Sequence, residues 1–185
     1  TANNNYLCGM KKKDKGKSRT PVFERPVDQH FYTLDQQFGQ GNKLIYVLSI
    51  GLFFFGVMGL VWMIPFPQFE FLQKHNMQTF LNWGSFYIAI LIYLYLRLAP
   101  TLSYAMLFTI GILSFFIVQL EYLERAGGPA VWLVSLIFVL LGAVGSYLLA
   151  RRDHPTLSMQ SFWRLLTLGP IWLWSKVFLL LKIKY

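Results

Sequence analysis

The sequence predicts an all-α membrane protein with four transmembrane helices, a C-terminal interfacial or re-entrant helical segment, and a basic N-terminal tail. Three observations carry this prediction. The first is residues 44–64, LIYVLSIGLFFFGVMGLVWMI, a run without a single charge. At about 1.5 Å of rise per residue it reaches roughly 30 Å, the thickness of a bilayer's hydrocarbon core. A buried helix of a soluble protein is rarely apolar on every face for so long. The second is composition: 14% of residues are charged and 55% hydrophobic, where a globular domain is about 25% charged. The third is the placement of the +9 net charge. Residues 1–43 hold eight Lys/Arg against four Asp/Glu, residues 44–150 hold three of each, and residues 151–185 hold six against Asp153. Positive excess confined to the two ends is the mark of juxtamembrane segments on one side of a bilayer, facing anionic headgroups. A nucleic-acid partner is not expected from that distribution.

The tail, 1–43, has no apolar periodicity before residue 30 and reads as basic and Pro-punctuated. Such a stretch cannot order itself, so other membrane-protein subunits are the expected partners that hold it. Its first residue, Thr1, permits a cleaved presequence. His30 through Phe38 is expected to form a short interfacial helix leading to the first span. The spans follow at 44–64, 79–97, 101–120 and 130–150, separated by Pro65-Phe66-Pro67, Pro100 and Gly127-Gly128-Pro129. Trp62, Trp83, Trp132 and Tyr122 fall near span ends, where amphipathic rings prefer the headgroup level. Four spans place both termini and Arg97 on one side, and Glu70, Lys74, Glu121, Glu124 and Arg125 on the other. That arrangement obeys the positive-inside rule, and three spans would not. In the last segment, 151–185, Leu168-Gly169-Pro170 is expected to break a helix begun after Pro155. The uncharged runs before Lys176, Lys182 and Lys184 are too short to cross. Gly142, Gly145 and Ser146, with Gly51, Gly56 and Gly59, allow close helix approach, chiefly within one subunit.

Chemistry is hard to find in these residues. A membrane enzyme or transporter usually places ionisable groups inside a span, and every span interior is uncharged. Glu121 and Glu124 share a helix face but read as a solvated helix end. The single Cys8 excludes an internal disulfide and a cysteine-built zinc or iron–sulfur site. There is no phosphate-cradling loop and no HExxH. His30, His75 and His154 do not lie on one side under the four-span topology, so they are not expected to converge on a metal. Lys11, Lys12, Lys13, Arg97, Arg151, Arg152, Lys176 and Lys182 are the expected contacts to lipid headgroups or partner subunits.

Several landmarks come in a familiar order: Asn42-Lys43-Leu44 into the first span and Trp62 to Pro67 out of it, then Leu81-Asn82-Trp83 and Tyr95-Leu96-Arg97-Leu98 with Pro100. The ending adds Asp153-His154-Pro155-Thr156 and Leu168-Gly169-Pro170-Ile171-Trp172-Leu173. Over residues 30–182 the chain resembles the membrane-protein family of the 2-hydroxy-fatty-acid dioxygenase. The resemblance implies four spans and, in active members, Fe²⁺ held by histidines. One pair would bracket Asn42, at the positions occupied here by Gln37 and Tyr46. A further Gly-His step would end the fourth span, where this chain reads Gly145-Ser146-Tyr147. Imidazole holds ferrous iron while leaving positions open; Gln and Tyr are poor replacements, and Leu148 and Leu149, which follow Tyr147, are none. The resemblance therefore implies a kept scaffold without its metal site, no cofactor and no catalysis. The expected role is that of an accessory structural subunit of a larger organellar complex, with termini facing matrix, stroma or cytosol. The mitochondrial inner membrane is the expected setting and the endoplasmic reticulum the alternative. Two other functions stay open: an iron-dependent dioxygenase with a rebuilt site, and a lipid-binding protein holding an acyl chain in an uncharged cavity between spans.

Overall fold

A computed structural model describes residues 25–39, 41–67, 82–153, 155 and 158–182, apart from the side chain of Pro26. These residues form six helices: α1 Pro26–Phe38, α2 Lys43–Trp62, α3 Trp83–Leu98, α4 Pro100–Arg125, α5 Val131–Asp153 and α6 Met159–Leu180. The described residues contain no strand.

Each helix starts where local chemistry permits. The Asn42 side chain accepts the Leu44 amide at 3.1 Å, and Asn82 accepts the Ser85 amide at 2.8 Å. Both satisfy amides that the first turn leaves orphaned. Pro100 opens α4, where its missing N–H costs nothing. Ser103, Thr109 and Ser114 in α4 donate their hydroxyls to the carbonyls four residues back. That is how such side chains stay satisfied in an apolar medium. The helix ends on Gly127 at φ 92, a conformation that favours glycine, with the Gly128 amide donating to the Leu123 carbonyl at 2.9 Å.

Three of these helices, α2, α4 and α5, are long and apolar enough to cross a membrane. The chain is on this evidence an integral membrane protein. The expected second span, 79–97, is described only from residue 82. There α3 has 16 residues, roughly 24 Å at helical rise, less than a hydrocarbon core. Three helices of spanning length and one shorter apolar helix therefore stand where four full spans were expected. A helix stands over the expected 30–38 as part of α1, which starts earlier at Pro26, and its Val27, Phe31, Leu34 and Phe38 are all buried. The expected break at Leu168-Gly169-Pro170 is absent, since α6 runs unbroken through Pro170. An interior proline costs about 3 kcal/mol. Burial of Leu165, Leu166, Ile171, Trp172 and Leu173 on the same helix offsets it, at roughly 1.5–3 kcal/mol per large side chain.

The tightest pairing is α2 on α5. A Cβ on Gly142 would lie 2.4 Å from the Phe53 amide nitrogen, and one on Gly56 would lie 2.5 Å from the Ser135 carbonyl. Small residues here let two backbones touch, the close approach expected within one subunit. Gly51 is not in this seam and has nothing within 4 Å of its Cβ direction. On the other side α3 packs on α4, and α6 lies across both α2 and α4 near the Lys43 end of the bundle.

Candidate functional site: an apolar cavity between α2 and α4

The α2 and α4 helices are linked by side chains at one end and by α6 toward the other. At the Trp62 end the indole N–H of Trp62 donates to Glu121 Oε1 at 3.0 Å. Near the Lys43 end α6 wedges between them. Its Gly169 sits on Ile50 of α2, and its Trp174 indole N–H donates to Thr109 Oγ1 of α4 at 3.0 Å. The Tyr95 hydroxyl of α3 donates to the Thr167 carbonyl at 3.1 Å and fixes the other flank of α6.

This geometry leaves a cavity of about 820 Å³, within the usual range of about 300–1,000 Å³ for small-molecule sites. Its walls are Ile50, Phe54 and Phe55 from α2 and Met106, Leu113 and Phe116 from α4, and Leu173 and Trp174 roof it. No charged side chain lines it; among the lining residues only Thr109 and Gln119 carry polar side chains apart from the Trp174 indole. Val47, Leu48, Phe116 and Leu123 also line it yet are exposed, so the cavity opens sideways along the bundle.

A second, polar constellation lies behind α6, where α1 meets the bundle. The Tyr46 hydroxyl donates to Asp153 Oδ2 at 2.7 Å. Its ring is fully buried, 6.1 Å from Phe38 and edge-on to Trp172 at 6.5 Å between centroids. The Trp172 indole N–H donates to Asp35 Oδ1 at 2.9 Å, and Lys176 pairs with the same carboxylate. Burial pushes the Asp35 carboxyl up to about 6, against the lowering effects of the Trp172 hydrogen bond and the Lys43 charge.

The residues singled out in the sequence are scattered over this frame. Tyr46 is locked into the polar constellation, Gln37 is half-buried on α1, and Asn42 is the exposed cap of α2. Lys176 is mostly buried and paired inside the chain. Arg97 lies over Tyr93 at 5.2 Å and Arg151 over Tyr147 at 6.0 Å, exposed, as snorkelling cations do. Arg152 and Lys182 are exposed too, and Lys11, Lys12 and Lys13 lie outside the described residues, as do His75 and His154. Glu124 accepts the Val131 amide at 3.1 Å and so caps α5, while Glu121 holds Trp62. Among the described residues no three His, Cys, Asp or Glu side chains are grouped to hold a metal. Sequence reasoning missed Asp35, Asp153 and Gln119. Gln119 lies in a long apolar run and Asp153 follows one, a weak signal; Asp35, in the polar stretch before α2, has none.

Fold and site together define a class: a helical integral membrane protein with a laterally open, uncharged cavity among its helices. No family model, no curated protein and no solved structure matches the chain.

Proposed function

We propose that this chain is a lipid-holding integral membrane protein that acts by shape. The observation carrying this reading is the cavity between α2 and α4, apolar along its length and open on the side that would face bilayer. In lipid the cavity would not stay empty, since unfilled apolar walls forfeit dispersion contacts that a chain of methylenes restores. The fit to catalysis is poorer. At the position where the resemblance to the dioxygenase family would put a ligand, the Tyr46 hydroxyl is engaged by Asp153 and its ring is packed.

The chain in this reading crosses the bilayer four times, with α3 a short span whose Arg97 reaches the interface. Both termini then face the positive side, and the role is accessory, beside other membrane subunits that grip the basic tail. A mitochondrial inner membrane would suit such a subunit. Purification in mild detergent followed by native mass spectrometry tests the proposal. One retained lipid per chain is expected, lost when the Leu113→Trp substitution fills the cavity. Stoichiometric iron in the same preparation would replace this reading with the dioxygenase one, and a chain carrying neither lipid nor partner would end it.

A further inference from the structure

The α6 helix is long enough to cross a bilayer, roughly 33 Å for its 22 residues, yet the contacts that anchor it cluster near the Lys43 end of the bundle. The Thr167 carbonyl accepts the Tyr95 hydroxyl, one turn from the end of α3. Gly169 meets Ile50, about 10 Å along α2, and Trp174 meets Thr109, about 14 Å along α4. Half of a hydrocarbon core is about 15 Å, so these three anchors fall within the depth of one leaflet. Beyond them, toward the Trp62 end, the room between α2 and α4 is cavity, lined by Leu113, Phe116 and Leu120.

The α1 helix adds to the same side. Asp35 ties it to Trp172 and Lys176, and Val27, Phe31, Leu34 and Phe38 are buried, while Arg25, Gln29 and Gln36 are exposed. A polar outer face belongs at water. The outer positions of α6 and its C-cap are different: Met159, Trp163, Leu180 and Leu181 are apolar and 57–82% exposed. With Arg164 and Lys182 as exposed cations, that is the make-up of a helix immersed at the boundary of headgroups and acyl chains.

We propose that α1 and α6 make the chain a wedge across the bilayer, broader in the leaflet at its Lys43 end, and that its partner is a strongly curved membrane with that leaflet convex. Among the described residues α2, α3, α4 and α5 pass through both leaflets, and α1 and α6 are added to one. A convex leaflet has its headgroups spread and its acyl chains partly uncovered. An immersed apolar face finds room there that a flat leaflet must be compressed to give. Only the crossing of α2, α4 and α5 is required, whether or not the cavity keeps a lipid.

Narrow tubes pulled from giant phosphatidylcholine vesicles that carry the full chain test this; the neutral lipid removes any attraction of the basic tail to the surface. A membrane-impermeant maleimide dye on Cys8, the only cysteine, reports chains inserted with the tail outside. The same dye on Ala126→Cys in a Cys8→Ser background reports the opposite insertion. Measured against a lipid dye, Cys8-labelled chains should be at least about twofold denser on the tube than on the vesicle, as curvature-sensitive insertion requires, and Ala126→Cys chains should be depleted. Trp163→Ser combined with Leu180→Ser should lower the Cys8 enrichment and leave the melting temperature unchanged, since both side chains are exposed. Even distribution of both labels, enrichment of both, or the reverse sorting would overturn the wedge. Parent-like enrichment in the double variant would overturn the immersion of the outer face of α6. Loss of retained lipid in native mass spectra bears on the cavity and leaves this sorting untouched.

Discussion

Asp35 shows how one side chain ties a surface helix to the bundle. It lies on α1, yet its carboxylate takes the Trp172 indole and the Lys176 ammonium from α6. Because its folded carboxyl is raised from 3.8 to about 6, the folded state binds the proton more tightly than the unfolded one. Its contribution to stability is then largest below about pH 4, falls as pH rises to about 6, and is flat above. The span amounts to something on the order of 3 kcal/mol. Thermal melts in detergent should show this decline in the parent chain, and Asp35→Asn should remove that slope. Tyr46→Phe is expected to cost about 1–3 kcal/mol at neutral pH, since it leaves the Asp153 carboxylate without its donor. A melt unchanged by Tyr46→Phe would mean that water replaces the hydroxyl at no loss. Neither pairing was legible in the sequence: Tyr46 and Asp153 are 107 residues apart, and Trp172 and Asp35 are 137 apart.

At the scale of elements, two glycines of α2 and α5 should behave oppositely. Gly142 packs its Cα against the α2 backbone, so Gly142→Leu must force the two helices apart. A loss of at least about 1–3 kcal/mol is expected, read as a lower melting temperature or a smaller folded fraction. Gly51 faces the cavity and open space. Gly51→Leu should hold or slightly raise the melting temperature, because leucine is the better helix former by nearly 1 kcal/mol. The same variant should retain less lipid in native mass spectra. Both glycines belong to small-residue runs that look alike in sequence, and the packing of α5 against only one face of α2 separates them. The α6 helix makes the same point in reverse: Gly169-Pro170 reads as a break, but contacts on α2 and α4 carry the helix through it.

For the whole molecule the open matter is how the short α3 is accommodated. With α2, α4 and α5 as full spans and α3 crossing as well, residue 126 must lie on the opposite side from both termini. Cys8 is the only cysteine, so sided labelling with a membrane-impermeant maleimide is direct. In sealed vesicles Cys8 should react from one face, and an Ala126→Cys thiol in a Cys8→Ser background should react only from the other. Reaction of both from one face would mean that one of the apolar helices does not cross. The same layout would place Arg97, Arg151 and Arg152 at one headgroup level, each exposed in the structure. Anionic vesicles should accordingly stabilise the chain more than neutral ones, with the difference shrinking as salt is raised.

Apart from α6, which packing carries through Pro170, the helices and their apolar character are local properties that the sequence determined. Uncharged length, Asn42 and Asn82 as caps, Pro100 as a first residue and Gly127 as a stop all act within a few residues of themselves. Which face of each helix turns inward is a different matter. In a lipid solvent an inward leucine and an outward one are equally apolar, so hydropathy carries no instruction about facing. Only the tertiary structure could place Gly56 and Gly142 in a seam, leave Gly51 and Gln119 on a cavity, and bring Asp35 under Trp172. Those outcomes come from helices meeting across long separations in the chain, where fit between surfaces decides and no nearby residue announces it.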